Sequence, residues 1–144
     1  MKEIRVLLVD DQATVRRGLM MRLQLEPDIT VVGEAPDGVA AIRAASELNP
    51  DVLVMDYEMP LMDGIQATHA LNATGAAARV VMLSIHDTTA VRRAAATAGV
   101  RAFVAKHEPS ERLLAAIREA AAGPHLPAPS PRKERGSLEE EDTS

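Results

Sequence analysis

Five side chains stand where they could share one piece of chemistry. Asp10 and Asp11 follow the apolar run Ile4–Val9, Asp56 follows Val52–Met55, Ser84 follows Val80–Leu83, and the run Val100–Val104 leads to Lys106. Three carboxylates packed together repel, and burying them uncompensated either costs stability or forces one to take up a proton. A divalent cation resolves the conflict. Magnesium prefers hard oxygen ligands and combines one or two carboxylates with the phosphate oxygens of a substrate. Acids beside an ammonium and a hydroxyl therefore point to phosphoryl transfer. Taken singly, each residue reads otherwise: an acid as a helix cap or solvated turn, the serine as a turn residue, the lysine as a surface group. Only their joint placement suggests a site. With no cysteine in the chain, a disulfide framework, a thiolate metal site and a cysteine nucleophile are all excluded. The histidines at 69, 86, 107 and 125 lack the spacing of metal ligands and read as surface residues.

For these side chains to meet, the apolar runs must lie side by side. The four runs above and Ile29–Val32 are rich in Val, Ile and Leu, of strand length, and nearly continuous in hydrophobicity, as strands covered on both faces must be. Between them apolar residues recur at helical spacing: Val15, Leu19 and Leu23; Val39, Ile42 and Ala45; Ile65, Thr68 and Leu71; Val91, Ala94 and Ala98. A last set contains Leu113, Leu114, Ile117 and Ala121. Gly75 and Gly99 follow two of these helices, and Pro109 with Ser110 opens the last. Strand alternating with helix predicts an α/β protein with a parallel sheet and right-handed crossovers. In such a sheet ligands bind beyond the carboxyl ends of the strands, where the five side chains lie.

The 144 residues suit one domain, 1–123, followed by a tail, 124–144. Four of the nine prolines fall between Pro124 and Pro131, and a mixed-charge run follows, so the tail is expected to be disordered. No apolar stretch approaches the roughly 20 residues that cross a bilayer, and the N-terminal run lacks a signal peptide's cleavage site. A cytoplasmic protein with no membrane partner is expected. A net charge of -5 without a Lys/Arg cluster disfavours direct nucleic-acid binding.

The segments VLLVDDQ (6–12), VLVMDYEMPLMDG (52–64), VVMLS (80–84) and FVAK (103–106), in this order at successive strand ends, resemble the receiver domains of bacterial two-component response regulators. The resemblance covers about residues 3–122. It implies a flavodoxin-like (βα)5 sheet of order 2-1-3-4-5 with the site at its switch point. Asp56 would be the phosphoacceptor, attacking a phosphohistidine of a sensor histidine kinase. Mg2+ would be held by Asp11, Asp56 and the backbone carbonyl of Glu58, with Asp10 acting through a bound water. Lys106 and Ser84 would each meet a phosphoryl oxygen. Ser84 and Phe103 would form the switch, the serine moving toward the phosphoryl group and the ring turning inward, which alters the face built from the fourth helix, fifth strand and fifth helix. Pro60 and Gly64 match the turn after the acceptor strand, where proline fixes φ and glycine permits a strained backbone.

The resemblance also implies a phosphoacceptor rather than an enzyme, at most labelling itself from small donors and losing the group again. Partners would be the kinase and a downstream protein or fused output domain, the chain being a monomer or a homodimer formed on phosphorylation. Two departures stand out: His107 follows Lys106 where many members have proline, leaving the isomer of that bond open, and the switch aromatic is phenylalanine, without a hydroxyl. Glu58 and His86, each two residues past a site residue, occupy positions that tune dephosphorylation in the family. PSERLLAAIREAAAG (109–123) resembles receivers of the NarL/FixJ type, which precede a helix-turn-helix. The 21 residues after Gly123 are too few for such a reader. The alternative is the receiver portion of a LuxR-type DNA-binding transcription regulator. A second is a magnesium-dependent aspartate-nucleophile phosphatase, with Glu58 as its acid/base; no substrate-cap insertion supports it.

Overall fold

Alternation along the strands decides how the chain folds. In the computed structural model, which describes residues 3–76 and 78–123, β1 (Ile4–Val9) turns Val6 and Leu8 to one face and Leu7 and Val9 to the other. All four are buried, which requires helices on both faces. The remaining elements are α1 (Ala13–Leu23), β2 (Ile29–Ala35), α2 (Gly38–Leu48), β3 (Val52–Asp56), α3 (Gly64–Ala73), β4 (Arg79–Ser84), α4 (Thr89–Ala98), β5 (Ala102–Ala105) and α5 (Ser110–Ala122). The strands are parallel, as the strand and helix alternation predicts, and lie in the order β2-β1-β3-β4-β5 that the resemblance implies. The tail, 124–144, lies outside the described residues.

Two cores result. Val6, Leu8, Val54, Val81 and Leu83 pack with Leu23 of α1 and with Leu113, Leu114 and Ile117 of α5. On the other face Leu7, Val9, Leu53, Met55 and Met82 pack with alanines of α2, Ala67 and Leu71 of α3, and Ala95 of α4. Fully burying one Leu or Val side chain contributes about 1.5–3 kcal/mol, so the central strand β3, buried throughout, anchors the sheet. α4 is lightly held: it buries only two small side chains, Ala95 and Ala98, whereas α5 buries five residues. An element that buries little apolar area moves at little cost.

The structure corrects parts of the helical reading. Ala94 is exposed and Ala95 buried, so the inward face of α4 is Val91, Ala95 and Ala98. Runs of alanine carry no contrast from which to fix the phase. Val39 is 56% exposed, and Gly38 and Ala41 face inward beside the expected Ala45. Here small residues let α2 approach closely; a Cβ on Gly38 would lie 2.6 Å from Met62 Sδ. β2 and β5 are edge strands and only partly buried. Gly75 and Gly99 take φ of 78° and 96° after α3 and α4, the left-handed conformation glycine adopts without strain.

Candidate functional site

Parallel pairing brings the carboxyl ends of the strands to one edge of the sheet. β1 stops at Val9, β3 at Asp56 and β4 at Ser84, while β5 stops at Ala105, directly before Lys106. Val9 pairs with Met55, and Ser84 with Ala105, so these ends are level. Carboxylate oxygens of Asp10, Asp11 and Asp56 all lie within 4.8 Å of one another. Asp10 and Asp56 are 2% and 6% exposed, whereas Asp11 faces an open cleft of about 680 Å³. Lys106 Nζ lies 3.2 Å from Asp56 Oδ1 and 3.6 Å from Asp10 Oδ2.

The electrostatics of the cluster are unbalanced. Burial pushes the Asp56 carboxyl above the usual carboxylate range and the Asp10 charge adds to the rise, while Lys106 and the Glu58 N–H oppose it. Asp10 Oδ1 accepts the Gln12 N–H at 2.9 Å. Asp10 Oδ2 is buried without a hydrogen-bond partner, the ammonium being too distant for one. Three acids beside one lysine, with an orphaned carboxylate oxygen turned to that lysine, are a donor set suited to a hard dication.

The loop after β3 is shaped by close approach more than by strain at glycine. Gly64 donates its N–H to the Tyr57 carbonyl at 2.8 Å, and a Cβ there would lie 2.6 Å from the Asp56 carbonyl. Glycine is thus needed because α3 starts against the end of β3. Its φ is not positive; the left-handed residue is Leu61, at φ 72° and fully exposed. Asp63 caps α3, its carboxylate accepting the Gln66 N–H while the Gln66 side chain accepts the Asp63 N–H.

Ser84 is fully buried, and its hydroxyl accepts the His86 N–H at 2.8 Å and donates to the His86 carbonyl at 3.3 Å. The structure brings Ser84 to the site's edge with its hydroxyl bonded within its own loop. His86 Nε2 lies 2.6 Å from Glu58 Oε2, and the His86 ring meets Tyr57 edge-on. Two residues singled out separately in the sequence are therefore a pair across the cleft. Phe103 is half-buried, and Arg92 of α4 lies 4.6 Å over its ring while also pairing with Asp87. The peptide bonds of the described residues, Lys106–His107 included, are trans. His69 and His107 are exposed; His125 lies outside the described residues.

Sequence reasoning passed over Arg16 and Arg92. Arg16 donates to the Asp10 carbonyl at 2.6 Å and to Glu34 at 2.9 Å. Neither arginine is marked by a motif, because each acts on a backbone group or a ring from a neighbouring element.

The response regulator receiver domain family matches residues 6–118. The chain belongs to that family. This receiver is 35% identical over 129 residues to the transcriptional regulatory protein NarL of Mycobacterium tuberculosis, covering 90% of the chain and 60% of that protein. It is 37% identical over 119 residues to the nitrate/nitrite response regulator NarP of Escherichia coli, covering 83% and 55%. The chain thus spans less than two thirds of the length of these relatives. Among solved structures, the signal receiver domain of M. tuberculosis NarL superposes with a TM-score of 0.81 at 34% identity, over 86% of this chain and all of that one. The response regulator domain of Thermotoga maritima CheB superposes with a TM-score of 0.78 at 37% identity, over 85% and 99%. The receiver carries an acidic cluster able to hold a metal, and none of its described helices is long and apolar enough to cross a membrane.

Proposed function

We propose that this receiver takes a phosphoryl group onto Asp56 from a phosphohistidine of a sensor histidine kinase, and that the change reaches a downstream protein or output domain. The observation that carries this is the Lys106 ammonium, 3.2 Å from Asp56 and 3.6 Å from Asp10, at the mouth of an otherwise acidic cleft. An Asp56 oxygen attacks phosphorus, the bond from phosphorus to the histidine nitrogen breaks, and the acyl phosphate carries more negative charge than the carboxylate it replaces. Lys106, a flexible point charge, moves onto the phosphoryl oxygens. Asp11, Asp56 and the Glu58 carbonyl would ligate Mg2+, with Asp10 holding a bound water. When bound, the ion neutralises charge on the phosphoryl oxygens.

For Ser84 to donate to a phosphoryl oxygen, its hydroxyl must leave the His86 backbone, which shifts the loop into α4. Phe103, packed under α4, then turns inward. The shallow burial of α4 keeps that rearrangement cheap. Similarity to the regulators NarL and NarP supports a transcriptional output, and hence the receiver portion of a LuxR-type regulator. A 45% identical segment in a protein-glutamate methylesterase/protein-glutamine glutaminase of Nocardioides, 23% of that protein's length, attaches a like receiver to another output. The phosphatase reading is weaker, because the Glu58 carboxylate it needs as acid/base is paired with His86.

The test is incubation with acetyl phosphate and Mg2+, followed by intact mass. A single phosphoryl adduct is expected, absent in Asp56→Asn; an undiminished adduct in that variant refutes the assignment. Sustained turnover of small phosphoesters would favour the phosphatase.

A further inference from the structure

Asp10 is fixed at nearly every polar atom. Its N–H donates to the Ala35 carbonyl at 3.1 Å, Oδ1 accepts from Gln12, and its carbonyl accepts Arg16 Nη1 at 2.6 Å, leaving Oδ2 for the cluster. The carbonyl contact matters most for geometry. That carbonyl belongs to the peptide plane joining Asp10 to Asp11, so fixing its direction constrains ψ of Asp10 and φ of Asp11, the backbone angles from which both carboxylates depart. Arg16 is itself held, its Nε donating to Glu34 of β2 at 2.9 Å and its backbone N–H to the Gln12 carbonyl at 3.1 Å. One guanidinium thus ties the start of α1, the end of β1 and the end of β2 together.

The choice of residue fits the task. Two partners in fixed directions suit the planar fork of arginine and not the single ammonium of lysine. Charge is handled as well: a bare cation next to the acids would compete with a dication for their field, and the Glu34 carboxylate cancels it. Arg16 therefore supplies rigidity without opposing charge.

We propose that Arg16, neutralised by Glu34, is a positioning residue for the metal-binding acids, an inference that rests on the receiver reading above. The pair sets the affinity of the cluster for Mg2+ while touching neither the ion nor the phosphoryl group.

The test uses the full chain and MgCl2 as the probe. Tyr57, the only tyrosine in a chain without tryptophan, adjoins Asp56 and reports binding by its fluorescence. Thermal unfolding in EDTA is followed in parallel, to separate positioning from plain stability. Arg16→Gln is expected to weaken Mg2+ binding about tenfold, as removal of partners that orient metal ligands does. Glu34→Gln, which leaves the arginine charge uncompensated, should weaken it about threefold. Arg16→Lys should fall between wild type and Arg16→Gln. Mg2+ affinity in Arg16→Gln within about twofold of wild type overturns the proposal, whatever the melting temperature does. Should Arg16→Gln not fold, the exposed Glu34→Gln substitution decides, and unchanged affinity there overturns it equally. A wild-type chain that binds no Mg2+ refutes the metal-site reading and the proposal with it, an outcome distinct from wild type and variant binding equally well.

Discussion

Replacing the proposed acceptor, Asp56→Asn, should stabilise the metal-free protein. The acidic oxygens lie within 4.8 Å of one another, and at an effective dielectric of about 20 each like-charge pair at that distance costs about 3.5 kcal/mol. The opposing contact to Lys106, at 3.2 Å, contributes about 5 kcal/mol on the same scale. Neutralising Asp56 removes two repulsions and one attraction, a net gain of about 2 kcal/mol, and about 1 kcal/mol after screening at the exposed Asp11. In a domain of this size that raises Tm by about 4 °C. The assay is thermal unfolding in EDTA at neutral pH, repeated in Mg2+. At about ten times its Kd, the ion stabilises the wild type by about 1.4 kcal/mol, which closes the gap. The pH dependence has a definite sign. The Asp56 pKa is raised in the folded state, so the folded protein holds its proton longer than the unfolded chain. Stability associated with Asp56 is fully present below the ordinary value of 3.8 and is lost as pH rises through the raised value, so the advantage of Asp56→Asn should shrink toward pH 4. A variant less stable than wild type in EDTA at pH 7, or an advantage that grows on acidification, would refute the reasoning.

Arg92→Gln removes the cation over Phe103 and the pairing with Asp87. If both favour the unphosphorylated arrangement, the Mg2+-dependent affinity for beryllofluoride, read by Tyr57 fluorescence, should rise about two- to fivefold; a fall would count against Phe103 as the switch. Gly64→Ala places a methyl against the Asp56 carbonyl and should cost about 1–3 kcal/mol in urea unfolding while slowing labelling by acetyl phosphate. Normal labelling in that variant would show that the end of β3 tolerates displacement. Ile117→Ala, in the fully buried face of α5, should cost about 2–5 kcal/mol in urea unfolding, with labelling intact wherever the variant is folded.

The strands, their parallel arrangement and the acids at their ends were legible in the sequence because their signals are local. A run such as Val52–Met55 states its own burial, and an acid directly after it is placed at a strand end by chain connectivity alone. The resemblance to receivers supplied the strand order, which periodicity cannot give. Helical phase was misread where composition is flat, at Ala94 and Val39, because alanine and small residues carry little hydrophobic contrast. Gly64 was recognised for a wrong reason: sequence reports that glycine is needed, and only the approach of the Asp56 carbonyl says why.

The linear chain thus determined which groups reach the working edge of the sheet. What the tertiary structure decided is how they are held there: Lys106 between Asp10 and Asp56, His86 against Glu58, Arg92 over Phe103, and Arg16 on the Asp10 carbonyl. These contacts join residues from different elements through distances and directions that no sequence spacing encodes. They exist only once the sheet has fixed the register of its strands and the two cores have fixed the helices on its faces.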